Sequence, residues 1–215
     1  MESVRTKQEV VSAFRRTEII DAARSVFARK GFARGILDEI AREAGIAKGT
    51  VYLYFRSKKE IYKAVLNHDM ESLKRDTLER MARAANLKEK IRAFIMARLE
   101  SAEAKKEFFR IMDIESGGLA LTRSQYREWL REPVLYLAAA IEDASRSGRI
   151  PHVLSEKAAW IIADMTRGTI QRRLLGQSDC PPGEDADFLL GFIWAALTAA
   201  GTARTDTLIA GSGTK

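Results

Sequence analysis

Apolar residues recur at three- and four-residue spacing along almost the whole of this chain, and that period admits little besides α-helix. Ile19, Ile20, Ala23, Val26 and Phe27 form one such stripe, closed by Lys30-Gly31, a basic last turn followed by a glycine suited to a C-cap. A short helix from Leu37 to Ala44 stops at Gly45, and another runs from about Lys48 to Phe55. Ser57, with Glu60 three residues on, has the form of a capping box opening a long helix through Ile61, Val65 and Leu73. Longer helices follow from Leu87 to about Glu115, Arg123 to Ser147, Ser155 to Leu175 and Glu184 to Ala203. Pro133 lies inside one of these patterns and is expected to kink or divide it. Alternating β-branched runs are absent, so the spacing predicts an all-α protein of about nine helices. A three-helix head (residues 1–56) leads through a linker helix reaching about residue 80 into a larger bundle (57–203). The Gly- and Thr-rich tail 204–215 is expected to be disordered.

Charge separates these parts. The net charge is +7, and residues 1–60 hold 13 Lys+Arg against 8 Asp+Glu, an excess of +5. Residues 86–203 hold 16 of each. A positive excess confined to the head suits contact with a polyanion, although a solvated basic surface gives the same count. The single cysteine, Cys180, excludes an internal disulfide framework and fits a reducing cytoplasm. MESVRTKQEV has no apolar core of the signal-peptide kind, so a cytoplasmic location is expected. The longest apolar run, LLGFIWAALTAAG, is 13 residues, too short for a bilayer, and no membrane partner is expected.

The stretch GIAKGTVYLYF, Gly45 to Phe55, combines aromatic rings with a lysine and has no acidic group. Ala41 is small where two short helices would cross, Gly45 suits a turn with φ > 0, and Ile40, Ile46 and Val51 supply the packing between them. That is the pattern of a helix-turn-helix, whose second helix enters the DNA major groove. Val51, Tyr54 and Phe55, at i, i+3 and i+4, point inward, which leaves Lys48, Gly49, Tyr52 and Leu53 outside. Lys48 suits guanine O6/N7 or a phosphate, and Gly49 allows close backbone approach. Thr50 and the Tyr52 hydroxyl suit phosphate oxygens, and Lys58 adds a cation at the start of the next helix.

TEIIDAARSVFARKGF and ILDEIAREAGIAKGTVYLYFRSKKEIYKAVL, within residues 17–66, resemble the DNA-binding head of the tetracycline-repressor (TetR) family of bacterial regulators. The resemblance implies DNA contacts at Lys48, Gly49, Thr50, Tyr52, Tyr54 and Lys58, and Ala47 just before them is a further candidate contact. It departs at Gly35-Ile36, where the family usually has threonine, and Arg34 is the candidate to replace that phosphate contact. It also implies a C-terminal bundle that binds a small-molecule effector and dimerises through its last two helices.

In the bundle, the candidate effector-binding residues are Phe108, Met112, Tyr126, Trp129, Trp160, Met165, Arg167 and Gln171, aromatic, sulfur and polar groups at helical spacing. Phe188 to Ala200 is apolar nearly all round, which calls for burial on every side, by a partner subunit or by the chain's own core. The candidate dimer face comprises Ala158, Ile162, Met165, Phe188, Gly191, Phe192, Ala195 and Ala199. His68 and His152 have no neighbours at metal-ligand spacing, and P-loop, dinucleotide and nucleophile-elbow motifs are absent. Neither a metal, a cofactor nor an enzyme activity is expected. The expected partners are double-stranded operator DNA, a second copy and a small effector; a helical adaptor and an architectural DNA binder are the alternatives.

Overall fold

In the computed structural model, which describes residues 7–30, 36–106 and 123–199, eight α-helices account for most of the described residues. They are α1 (Lys7–Lys30), α2 (Ile36–Glu43), α3 (Lys48–Tyr54), α4 (Lys58–Arg83), α5 (Leu87–Ala104), α6 (Arg123–Arg146), α7 (Ser155–Leu174) and α8 (Pro182–Ala199). Arg34, Phe108, Met112, the Tyr126 side chain and the tail 204–215 lie outside the described residues.

The helix starts follow from side-chain caps. Ser57 Oγ accepts from the Glu60 backbone N–H at 3.2 Å, and Glu60 Oε2 accepts from the Arg56 N–H at 2.8 Å. Asn86 opens α5 in the same way, accepting from the Glu89 N–H at 3.0 Å. These reciprocal bonds satisfy donors that a helix start otherwise leaves orphaned.

Two helices run differently from what the spacing predicts. Helix α6 runs unbroken through Pro133. Proline removes only one backbone donor, and Leu130, Val134, Leu137 and Ile141 hold both sides of it in the core. Helix α5 ends at Ala104, where Lys105 takes φ −116° and ψ 16°, although no glycine or proline announces a stop there.

Two hydrophobic clusters organise the molecule. One joins α1 (Ile19, Ala23, Val26, Phe27), α2 (Ile36, Ile40), α3 (Val51) and the first half of α4 (Ile61, Tyr62, Val65). The other joins Met81 of α4 to α5 (Ile91, Phe94, Ile95, Leu99), α6 (Val134, Leu137, Ile141), α7 (Ala159, Ile162) and α8 (Leu189, Ile193). Helix α4 serves both, and its 26 residues span about 39 Å at the α-helical rise. Between the clusters, the buried Asp69 carboxylate of α4 meets Arg24 of α1 at 2.8 Å and Lys105, beyond the end of α5, at 3.4 Å. The ions of that junction therefore tie head, linker and bundle together.

Candidate nucleic-acid interface

The turn between α2 and α3 is built around Gly45, at φ +65°. Nothing lies within 4 Å of where its Cβ would stand, so the backbone angle and not crowding calls for glycine. The Gly45 N–H donates to the Arg42 carbonyl at 3.1 Å and the Ile46 N–H to the Ala41 carbonyl at 2.9 Å, closing the end of α2. Ion pairs brace α2 against α1: Arg29 with Glu43 at 2.8 Å, and Lys30 with Glu39. Glu43 is held below the usual carboxylate range by hydrogen bonds from Arg29 and Ser25.

This bracing presents α3 with one face in and one out. Val51 and Phe55 are buried, and the Arg16 guanidinium lies 4.6 Å from the Phe55 ring centroid. Tyr54 is half-buried and packs against the head core. Ala47, Lys48, Gly49, Tyr52 and Leu53 are exposed, Leu53 at 82%, and Thr50 and Lys58 are half-buried. An exposed, mixed apolar and cationic helix face of this kind is suited to lie in a groove of DNA.

One member of this face was not legible in the sequence. Asp38, in the first turn of α2, holds Lys48 Nζ at 2.8 Å through Oδ1 and at 3.1 Å through Oδ2. That contact raises the Lys48 pKa, first by the hydrogen bond and then by charge. The acid-free run from Ala44 to Lys59 is thus joined in space by a carboxylate ten residues upstream of Lys48. The inward spacing of Ile36 and Ile40 was the available signal that Asp38 faces outward.

In the bundle, the candidate dimer residues divide. Phe188 and Phe192 are 74% and 61% exposed, Gly191, Ala195 and Ala199 are exposed beside them on α8, and Ala158 is half-buried on α7. Ile162, placed on that face by the sequence reading, is instead buried in the chain's own core, and Met165 packs against the same cluster. Their neighbour Ile161, at 59% exposure, carries the outward apolar surface of α7.

The candidate effector residues scatter too. Trp160 packs on the bundle core with the Arg127 guanidinium 4.8 Å from its ring centroid, Arg167 is half-buried, and Gln171 is exposed. Trp129 packs against the head cluster instead of the bundle core, because α6 reaches back along α4. An open cleft of about 540 Å³ at the junction is lined by α1 and the end of α5, including Arg24, Ser25, Glu103 and Lys105, and by none of these candidates. Among the described residues no helix is long and apolar enough to cross a membrane.

The sequence profile of the bacterial regulatory proteins of the tetR family matches residues 19–65, from the middle of α1 into α4. The fatty acid metabolism regulator protein of Bacillus subtilis (strain 168) is 30% identical over 160 residues, covering 71% of this chain and 78% of that protein. The chain belongs to the TetR family. It is a DNA-binding transcriptional regulator of that family, and its α2–α3 pair is the family's helix-turn-helix. The TetR relationship extends into the bundle, since the regulator TtgR of Pseudomonas putida is 29% identical over 184 residues, 80% of this chain and 84% of TtgR. The fold is also similar to that of FadR from Bacillus subtilis in complex with stearoyl-CoA, with a TM-score of 0.67 and 22% identity over 82% of this chain and 96% of that one.

Proposed function

We propose that the chain is a homodimeric repressor that reads a palindromic operator through two copies of α3 and is released by a small molecule bound in the bundle. The observation that carries this reading is the pairing of an outward face on α3, including Lys48, Gly49 and Tyr52, with an uncovered apolar strip on α7 and α8. A dimer formed through that strip would carry two recognition helices, the number that two half-sites one DNA turn apart require. Residues 1–56 then form the DNA-binding domain, with contacts from Arg34, Ala47, Lys48, Gly49, Thr50, Tyr52, Tyr54 and Lys58. Residues 57–203 form the effector-binding and dimerisation bundle, and the regulator works in the cytoplasm, where its DNA lies.

Release follows from the shared helix. Because α4 belongs to both hydrophobic clusters, a ligand that moves its bundle end also moves the head, changing the spacing between recognition helices. Fatty acyl-CoAs are the effectors to test first, since the similar FadR structure holds stearoyl-CoA and a relative is a fatty acid metabolism regulator. The test is to select duplexes from a random pool with the full chain, then titrate acyl-CoAs of graded length into the complex and follow fluorescence anisotropy. Release by one chain-length class supports the reading, and a selected palindrome that no acyl-CoA releases removes that effector class.

A further inference from the structure

The Asp38–Lys48 pair raises a question that the DNA-reading face alone does not answer. Both side chains are open to solvent, 59% and 49% exposed, and such a pair contributes at most a few-fold to folding equilibria. The fold does not need it: α2 and α3 are held by the buried Ile36, Ile40, Ala41, Val51 and Phe55. The acids nearest in sequence are otherwise engaged, Glu39 with Lys30 and Glu43 with Arg29. Asp38 is therefore a carboxylate on the face turned toward a polyanion, and its ion-pair partner is that face's lysine.

An ionised carboxylate has no proton to donate, so a phosphate offers it only repulsion. Base edges are different, because the amino groups of cytosine and adenine in the major groove donate to carboxylates. Lys48 is held at 2.8 Å from Asp38 in the free protein, and guanine O6/N7 is the base-edge acceptor for which a lysine would exchange such a carboxylate. We propose that Asp38 is a positioning residue for specificity: through its ion pair it withholds Lys48 from phosphates on unrelated DNA and directs it to a base edge at the operator. The inference rests on the DNA-reading role proposed for α3.

The experiment compares wild type, Asp38→Asn, Lys48→Ala and the double variant, each as the full chain. Each binds a duplex selected by the wild type from a random pool, and a scrambled duplex, across a potassium chloride series. Asp38→Asn should tighten the scrambled duplex about five-fold, with a salt slope steeper by about one unit as Lys48 gains a phosphate. Affinity for the selected duplex should not rise, and should fall as Lys48 loses its guide to the base edge, so the specificity ratio falls. In the Lys48→Ala background the substitution should change neither affinity nor slope. An unchanged specificity ratio for Asp38→Asn overturns the proposal, and so does an equal effect with and without Lys48, which would mark plain repulsion. Both side chains are exposed, so helical circular dichroism should match wild type in every variant. If the wild type selects no sequence at all, the DNA-reading role itself fails, and that outcome is distinct from a selected site whose ratio ignores Asp38.

Discussion

Replacing Phe192 by alanine tests whether the α8 strip is covered by a second subunit. Phe192 is 61% exposed in the single chain, so the ring contributes little to folding of the protomer. Fully burying a phenylalanine is worth about 1.5–3 kcal/mol, so covering the exposed part in a dimer is worth about 1–2 kcal/mol per copy. A two-fold interface contains the residue twice, which makes the loss about 2–4 kcal/mol and raises the dimer dissociation constant about 30- to 700-fold. Sedimentation velocity over a protein dilution series reads this directly, and the monomer should keep its helical signal. Ile162→Ala is the control: at 2% exposure in the chain's own core, it should cost about 2–5 kcal/mol of unfolding free energy in urea. A Phe192→Ala protein whose dimer dissociates like wild type would refute the assignment of the α8 strip as the subunit interface.

Three further outcomes are expected. Lys48→Ala should weaken operator binding by about 1–3 kcal/mol while changing affinity for scrambled DNA much less, as measured by anisotropy on both duplexes. Gly45→Ala should lower stability by about 1–2 kcal/mol, because φ +65° strains an L-residue, whereas Gly49→Ala, inside α3 with open space around it, should not lower the melting temperature and should weaken DNA binding. Asp185→Asn should destabilise the bundle near neutral pH. Burial pushes the Asp185 carboxyl up, but hydrogen bonds from Arg173, Ser178 and Cys180 outweigh that and hold it below its ordinary 3.8. A carboxyl depressed in the fold stabilises above its unfolded pKa and loses that contribution as pH falls through the folded value. The stability gap between wild type and variant should therefore close below about pH 3.8, as followed by denaturation at a series of acid pH values.

The head was legible because its signals are local. Gly45, Ile46 and Val51 fix the turn within seven residues, and the Ser57–Glu60 cap marks the start of α4 from a four-residue word. Features set by how helices meet were not legible. Which side chains pair where α2 and α3 meet is one such feature: Asp38 reaches Lys48, and nothing in either helix alone records that contact. Periodicity identified α7 as apolar, but Ile161 and Ile162 are about 100° apart on the helix, and only packing decides which faces the core. Trp129 looked like a ligand-cage aromatic by composition, yet the path of α6 along α4 delivers it to the head. The end of α5 at Ala104 was not legible either, because no breaker residue stands there.

The central claim, that a dimer reads DNA sequence through α3, is tested most directly by hydroxyl-radical footprinting on the DNA upstream of the protein's own gene and on the selected duplex, repeated across a salt series. The expected result is a protected palindrome with half-sites about one helical turn apart and protection that falls steeply with salt. Uniform protection along both fragments, or a single half-site bound without two-fold symmetry, would contradict it.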